Sequence, residues 1–341
     1  MKTEFNQETA LPAYGEVAQL APGLLWARLP IPYPPNEVNV YFLDGQDGWT
    51  VVDTGMHADI TREVWQALLS GPLKGYSFDR ILVTHHHPDH IGLADWLSDR
   101  LGATAWATAG TLQAFETDTT EYGPDALAAV DRFCAAHALN DDAAYALKRQ
   151  PNAFLSRVRV DVSRLRTLPL DKPLTFSIGT FDLMVAEGHA AGQFLMRDRA
   201  GRFFFSSDQI LPGVVSKLAF NPLDPSADTA GTYVASLDDI EAWVDETALI
   251  LPGHFAPFRG LRARLAEIRE RQARRGNRLM KAFADGPVPA GRLLGALSGR
   301  EPKGRDIAFA LAETFANINL LIAQERLEWR ERGGQMILVP R

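Results

Sequence analysis

Short runs of hydrophobic residues that end in polar positions recur along the first 260 residues of the chain. The runs at residues 79–84 (DRILVT), 181–186, 202–207 (RFFFSS) and 248–251 are apolar or β-branched and have the length of buried strands. Residues 91–101 (IGLADWLSDRL) instead carry apolar residues at helical spacing, which predicts a helix soon after the first of these strands. Each predicted strand ends at a loop, and loops held between rigid elements commonly carry chemistry.

A helical insertion is predicted in the middle of the chain. The 98 residues between His90 and His189 are more than one further strand and helix require. Residues 124–150 predict one or two helices with a break near Asn140. We therefore expect the insertion at about residues 108–165. Its aromatic residues could cover a site as a lid, or could simply pack the insertion on the rest of the chain: Phe115, Tyr122, Phe133, Tyr145 and Phe154.

The pattern changes again past residue 260. Residues 261–284 predict one long helix, ended by Asp285-Gly286-Pro287. Further predicted elements are short helices near Leu293 and at residues 307–324, then two strands at residues 327–332 and 335–339 around Gly333-Gly334. Helices followed by a terminal hairpin indicate a winged-helix-like domain.

Charge divides the chain at the same place. Of 341 residues, 46% are hydrophobic, which is enough for a large core and a second domain. Residues 261–341 hold 16 basic and 9 acidic residues, whereas the preceding 260 hold 19 basic and 33 acidic ones. We therefore expect an acidic catalytic domain over residues 1–260 and a basic domain over residues 261–341.

The N-terminal sequence MKTEFNQETALPAYGEV lacks the basic start and apolar core of a signal peptide. No apolar run is expected to reach membrane-spanning length, so a cytoplasmic protein without a membrane partner is predicted. Cys134 is the single cysteine, which excludes an intrachain disulfide. A homodimer is compatible with these features.

The densest candidate chemistry lies just after the strand at residues 79–84. Four of the eight histidines fall within six residues, in His85-His86-His87-Pro88-Asp89-His90. His85 and His87 are two residues apart and can reach one ion from the same side, while Asp89 and His90 can reach a second. This cluster predicts two adjacent metal ions.

Three further ligand-type residues each follow a predicted strand. His189 follows residues 181–186, Asp208 follows residues 202–207, and His254 follows residues 248–251. Any one of them alone is more typical of a turn residue than of a ligand. Their shared context groups them with the histidine cluster.

In order and spacing these residues resemble the signature of the metallo-β-lactamase-fold hydrolases. The HxHxDH motif corresponds to His85, His87, Asp89 and His90, and the later histidine, aspartate and histidine correspond to His189, Asp208 and His254. The likeness spans roughly residues 20–260 and implies an α/β, four-layer αβ/βα sandwich. The C-terminal pattern is similar to that of lactamase-beta-like hydrolases, a glyoxalase II-like branch with a winged-helix-like domain.

The resemblance also implies a ligand set. One metal would be held by His85, His87 and His189 and the other by Asp89, His90 and His254, with Asp208 bridging the two. Zinc suits histidine and aspartate ligands best, and iron and manganese remain alternatives. The chain departs from the pattern at Gln193, where many relatives have a second histidine.

Two divalent ions that share a bridging water lower its pKa enough to present hydroxide near neutral pH. Asp89 is the candidate to steer this nucleophile and to carry a proton to the leaving group. Asp53, which follows another strand-like run, is expected either to orient a ligand or to cap a turn. His57, His86 and His137 are not expected to be ligands.

The leading hypothesis is a hydrolase that cleaves an acyl bond (thioester, ester or lactone) of a small molecule. The alternative is a nuclease whose basic C-terminal helix grips RNA or DNA phosphates, although a net charge of −7 counts against nucleic acid as a partner. In a third hypothesis the C-terminal domain only mediates binding or dimerisation.

Overall fold

The computed structural model describes residues 10–304 and 306–341. Residues 1–9, which include part of the segment that bears on a signal peptide, lie outside the described residues. The first half of the described chain contains these elements: β1 (Ala18–Ala21), β2 (Leu24–Pro30), β3 (Glu37–Asp44), β4 (Trp49–Val52), α1 (Asp59–Ser70), β5 (Phe78–Leu82), α2 (Pro88–Ile91), α3 (Ala94–Leu101), β6 (Thr104–Ala107), α4 (Ala109–Thr119), α5 (Pro124–Ala136), α6 (Asp141–Lys148), α7 (Gln150–Leu155) and β7 (Arg166–Thr167).

The second half continues with these elements: β8 (Leu174–Phe176), β9 (Gly179–Val185), β10 (Phe194–Asp198), β11 (Phe203–Ser207), α8 (Thr229–Trp243), β12 (Leu249–Pro252), α9 (Leu261–Met280), β13 (Val288–Pro289), α10 (Asp306–Ala323), β14 (Leu327–Arg332) and β15 (Gln335–Pro340). Short 3-10 helices lie at Val162–Arg164, Lys281–Phe283 and Ala290–Leu293.

Two sheets form the centre of the molecule. The first has seven strands in the order β1 to β7, antiparallel from β1 to β4 and parallel from β4 to β7. The second has five strands in the order β12-β11-β10-β9-β8, with a single parallel pair, β11 and β12. Parallel pairs leave the carboxyl ends of neighbouring strands at the same sheet edge. That geometry brings the ends of β4 and β5 together in one sheet and those of β11 and β12 together in the other.

Three hydrophobic clusters show how the layers stack. One lies between the two sheets and includes Trp26, Tyr41 and Phe205. A second packs α1 and α3 on the outer face of the first sheet through residues such as Trp65 and Leu97. The third packs α8 and α9 on the outer face of the second sheet. The order helix, sheet, sheet, helix confirms the predicted four-layer α/β sandwich.

The predicted insertion is helical, with α4 to α7 between β6 and β7. The chain breaks between α5 and α6, where the Asn140 side chain caps α6 by accepting a hydrogen bond from the backbone amide of Ala143 at 2.9 Å. Its aromatic residues serve mainly for packing. Phe115 is buried in the cluster under the first sheet, Phe133 is buried against the C-terminal part, and Tyr145 is 63% exposed.

The C-terminal part contains the predicted long helix and the predicted hairpin, since β14 and β15 pair antiparallel around Gly333-Gly334. β13 adds a third strand. The core of this part is shared with the insertion, because Val130, Phe133 and Leu147 pack in one cluster with residues of α10 and β15. The winged-helix-like assignment and the boundary at residue 260 stay predictions.

Within the described residues, α10 is long and apolar enough to cross a membrane by length and composition, with a mean hydropathy of 1.4. The prediction that no apolar run reaches this length was wrong for α10. Polar residues such as Asn317 and Asn319 interrupt its apolar run in the sequence. The helix contacts α6, α8, α9 and β14, and half of it is buried inside the protein. These contacts are those of a core helix.

Candidate metal centre

The histidine cluster lies where β5 leaves the first sheet. The strand ends at Leu82, and His85 and His87 occupy the following loop. Pro88 then starts the single turn of α2, where proline is favoured because its fixed φ suits the first helical position. Asp89 and His90 lie on that turn. A buried strand and a short helix thus hold four ligand-type side chains within six residues.

The other three candidate ligands follow strands of the second sheet. His189 follows β9, Asp208 follows β11 directly, and His254 follows β12. Ser207, next to Asp208, has φ +46°, and Phe255, next to His254, has φ +68°. Left-handed backbone at such residues is uncommon and concentrates at functional sites. The two sheet edges therefore meet at one place, with all seven predicted ligands.

Distances between side-chain atoms place Asp208 in the middle of the site. Its carboxylate oxygens lie 3.6 Å from His90 Nε2, 3.5 Å from His189 Nε2 and 3.2 Å from His254 Nε2. His254 Nε2 is also 3.4 Å from Asp89 Oδ2. Ligand atoms of His85, His87 and His189 lie within 4.8 Å of one another, as do those of Asp89, His90 and His254. A third such group joins the two and consists of His85, His90 and Asp208.

Four imidazoles are oriented in the same way. Each uses Nδ1 for a contact with the protein: His85 with the hydroxyls of Thr84 and Ser207 at 3.1 and 3.3 Å, His90 with Asp53 at 2.8 Å, His189 with the carbonyl of Lys217 at 2.7 Å, and His254 with the carbonyl of Glu37 at 2.5 Å. Each Nε2 then faces the centre. Partners at the outer nitrogen fix the ring orientation that a metal ligand needs.

The residues present fit divalent cations. Three buried polar atoms of this cluster have no hydrogen-bond partner in the structure: His90 Nε2, His189 Nε2 and Asp208 Oδ1. A buried polar atom without a partner costs free energy. Gly253 leaves the necessary room, because a Cβ there would come within 2.1 Å of Asp208 Oδ1. Histidine nitrogens and carboxylate oxygens at such separations are a typical donor set for zinc and related ions.

The pKa values of the ligand-type side chains also indicate a site that fits cations. Burial would lower the pKa of His254, but Asp208 and Asp89 outweigh it and raise this pKa to about 10. Burial would also raise the pKa of Asp208, yet His254 and His90 hold it well below its usual range. Burial and neighbouring histidines lower the pKa values of His85 and His87. The carboxylates therefore need cations, which protons on His90 and His254 or metal ions can provide.

Asp53 lies behind the ligands. Its φ is +64°, and its carboxylate accepts hydrogen bonds from the backbone amide and the hydroxyl of Thr84 at 2.8 and 2.9 Å while contacting His90 Nδ1. Of the two roles expected for Asp53, this geometry favours orientation of a ligand. Thr84 and Ser207 were not found from the sequence, since hydroxyl residues at strand ends carry no specific signal.

Gln193, the departure from the pattern, is fully buried. Its Oε1 accepts a hydrogen bond from the backbone amide of Asp208 at 3.3 Å, and its Nε2 donates to Gln209 Oε1 at 2.8 Å. Gln209 in turn donates to Ser236 and accepts, at its carbonyl, from the Tyr233 hydroxyl. The amide thus supports the aspartate through a buried network.

The other histidines and the cysteine contact parts of the protein away from the candidate ligand groups. His86 points to the insertion, where it contacts Asp118 at 3.0 Å and stacks on Phe154. His57 is half-buried beside Arg62. His137 is packed among aromatic rings of the insertion and C-terminal part, and Cys134 is buried in α5.

Comparisons with known proteins agree with this architecture. A family model described as the metallo-beta-lactamase superfamily matches residues 33–254, more than half of the chain. A beta-lactamase domain protein from Burkholderia ambifaria is similar in structure, with a TM-score of 0.85 and 28% identity over 99% of this chain and 97% of that one. A metallo-beta-lactamase family protein from Thermus thermophilus gives a TM-score of 0.77 with 24% identity, over 95% of this chain and 100% of that one, and supports the fold alone.

One curated relative is the "Probable metallo-hydrolase YqjP" of Bacillus subtilis (strain 168). It is 33% identical over 75 residues, which are 22% of this chain and 23% of the relative. The match therefore spans about a quarter of that protein. Together with the family model and the geometry of the site, it supports a metal-dependent hydrolase. The chain belongs to the metallo-beta-lactamase superfamily.

Proposed function

We propose that the protein is a binuclear metal-dependent hydrolase that cleaves an acyl bond, a thioester, ester or lactone, of a small molecule. The observation that carries the proposal is the convergence of seven buried or half-buried ligand-type side chains, with the inner nitrogens of four histidines turned toward one carboxylate. Zinc is the favoured metal, with iron and manganese as alternatives.

Two of the side-chain groups at the site support a ligand assignment. His85, His87 and His189 would hold one ion, and Asp89, His90 and His254 the other, with Asp208 between them. When bound, such ions supply Lewis acidity toward a substrate carbonyl and activate water for attack. The carboxylate of Asp208 lies within 3.6 Å of histidines from both groups, which suits a shared ligand.

Side chains of the protein would carry out proton transfer and the orientation of the ligands. Asp89 has one oxygen near His254, and burial alone would raise its pKa, but His254 and His90 hold it below its usual range. A carboxylate kept ionised at this place can accept a proton and pass it to a leaving group. Asp53 holds His90 through Nδ1, and Thr84 holds Asp53. The side chains of the site are buried or half-buried, and a low local dielectric strengthens each of these interactions.

The pairing of the basic residues on α9 with groups of the same chain favours an acyl substrate over nucleic acid. All seven arginines of this helix have partners within the chain. Their partners are acidic side chains or backbone carbonyls: Glu246 for Arg262, Glu267 for Arg264 and Arg271, Asp238 and Glu241 for Arg269, Glu270 for Arg274, Glu313 for Arg275, and the Leu297 carbonyl for Arg278. A phosphate-binding surface requires cations that are free to neutralise phosphates.

A substrate panel tests the proposal. The purified, zinc-loaded protein is assayed on a thioester, a simple ester, an acyl lactone and single-stranded RNA, each with and without chelator. We expect chelator-sensitive turnover of an acyl substrate, and we expect Asp208→Ala and His254→Ala to abolish it while the far-UV circular dichroism stays unchanged. Cleavage of RNA alone would favour the nuclease alternative, and full activity of either variant would overturn the two-metal assignment.

A further inference from the structure

An aromatic residue next to a candidate metal ligand has an unusual backbone conformation. Phe255 follows His254 in sequence and has φ +68°. A left-handed backbone is unfavourable for a bulky side chain, whereas glycine adopts it freely. In the described part of the chain, the other non-glycine residues with positive φ are small or polar: Asn36, Asp53, Ala138, Ser207 and Glu325. Because glycine would remove the strain, a phenylalanine here indicates that the aromatic side chain itself has a use.

Hydrogen bonds from β3 hold this strained backbone in place. The side chain of Asn39 is buried, and its Nδ2 donates to the carbonyls of Phe255 at 2.7 Å and Pro252 at 2.8 Å. Its Oδ1 accepts from Trp26 Nε1 at 2.9 Å, and its backbone amide donates to the carbonyl of Gly253 at 2.7 Å. These bonds fix the Phe255 backbone relative to the first sheet, so the loop cannot relax to relieve the strain.

The loop that carries Phe255 is also closed at its base. Ile250 on β12 and Phe258 pair in antiparallel orientation, with backbone N–O distances of 2.7 and 3.0 Å. Both residues are buried in the cluster on the outer face of the second sheet. A loop that is closed at its base and bonded to β3 at its far side gives a side chain little freedom, which a specificity site requires.

The ring of Phe255 lies beside the metal centre and outside the core. Its centroid is 6.5 Å from that of the His254 ring, whose Nε2 lies 3.2 Å from Asp208 and 3.4 Å from Asp89. Phe255 is half-buried, and among the described residues it belongs to none of the hydrophobic clusters, although its neighbour Ala256 packs against one of them. An aromatic ring with free apolar surface at such a place suits contact with the apolar part of a ligand.

We propose that the Phe255 ring forms one wall of the place where the acyl group of the substrate binds, so that this acyl group is an apolar one of several carbons. This inference rests on the proposed acyl hydrolase function and specifies its substrate class. Asn39 is the positioning residue of this wall, because it holds the backbone that presents the ring.

Kinetics on thioesters of two chain lengths tests the contact. S-acetyl- and S-hexanoyl-N-acetylcysteamine share one neutral thiol and differ only in the length of the acyl chain. We expect the zinc-loaded protein to prefer the hexanoyl compound in kcat/KM. Phe255→Gly should reduce this preference about tenfold, mainly through a higher KM, because without the ring about two methylene groups of the bound chain return to water. Phe255→Leu should keep most of the preference, since it retains apolar surface.

Two controls separate this contact from a structural role. Glu325→Gly relieves a similar backbone strain, at φ +55° in the exposed turn after α10, and should leave both substrates unchanged. The zinc affinity of Phe255→Gly should stay within about twofold of that of the unaltered protein, because the Glu37 carbonyl still holds His254. A larger loss of zinc affinity, or an equal loss for both acyl chains, would show that the ring only covers His254 and would overturn the proposal.

A binding measurement separates the contact from the reaction. Acetohydroxamate and hexanohydroxamate carry the same zinc-binding group, and both are titrated calorimetrically into the zinc-loaded protein and into the Phe255→Gly and Glu325→Gly variants. Tighter binding of hexanohydroxamate that falls about tenfold in Phe255→Gly alone supports the proposal, and without thioester turnover it would refute only the acyl hydrolase function. The absence of any difference in affinity between the two hydroxamates in the unaltered protein would refute the role of Phe255, even where thioesters are cleaved.

Discussion

At the scale of single residues, the site depends on side chains that fix one nitrogen of each histidine. In four histidines, Nδ1 contacts a protein partner: His85, His90, His189 and His254. Each of these partners lies at the end of a strand or in a loop next to a strand. The seven candidate ligands could be picked out from the sequence, because they fall in short motifs after hydrophobic runs. Thr84, Ser207 and the carbonyls of Glu37 and Lys217 could not, because their roles depend on the meeting of two sheets.

Asp53→Asn tests one of these partners. The aspartate accepts from Thr84 twice and contacts His90, and an asparagine has one oxygen too few to accept from all three groups. We expect the affinity for the metal ion that Asp89, His90 and His254 would hold to fall about 10- to 100-fold. Competition with a chromophoric chelator measures it. Asp47→Asn, in the exposed turn between β3 and β4, is the control, and equal affinities of the two variants would contradict the role of Asp53.

His137 gives a prediction for stability and pH. It is packed by the rings of Phe133, Phe315 and Trp329, and burial lowers its pKa to about 4. Because the unfolded state binds a proton below about pH 6.5 and the folded state does not, this residue lowers stability as the pH falls from 6.5 to 4.

Urea unfolding at pH 7.5 and pH 4.5 measures this effect. In His137→Phe, whose ring suits the aromatic surroundings, the loss of unfolding free energy between these pH values should be smaller than in the unaltered protein by about 2–3 kcal/mol. Equal losses in both proteins would show that His137 takes up its proton in the folded state as readily as in the unfolded one.

At the scale of elements, α9 is part of the support of the metal site. Arg264 is fully buried, and it donates to the carbonyls of Leu211, at 2.7 Å, and Val214 while pairing with Glu267. The segment that it holds leads to Ser216, whose hydroxyl bonds the Asp208 carbonyl, and to Lys217, whose carbonyl bonds His189. The sequence pattern placed Arg264 in a uniformly basic helix, since periodicity does not reveal which charge is buried.

Arg264→Met should therefore weaken metal binding. We expect the zinc affinity of this variant to fall about tenfold or more, because the segment between Leu211 and Lys217 loses its anchor while Glu267 loses its buried partner. Chelator competition and circular dichroism together separate loss of metal affinity from loss of fold. Arg262→Met, two residues away and exposed on the same helix, should bind zinc normally. Unchanged affinity in a folded Arg264→Met protein would contradict this role.

At the scale of the whole molecule, the four-layer sandwich was predicted through the family resemblance that the ligand motifs carry. The shared core of insertion and C-terminal part was not predictable, because residues such as Phe133 and Phe315 are far apart in sequence and meet only in the folded chain. The charge difference between the two parts suggested separate domains, yet the arginines of α9 pair with acidic residues on both sides of residue 260. Charge balance within one molecule explains the basic helix.

The binuclear metal site that we propose is one in which Asp208 is shared between two ions. Its most direct test is the number of zinc ions bound per chain, from calorimetric titration of the metal-free protein with elemental analysis of the product. We expect two ions for the unaltered protein and a loss of tight binding at both sites in Asp208→Ala. A single ion in the unaltered protein, or two tightly bound ions in Asp208→Ala, would contradict it.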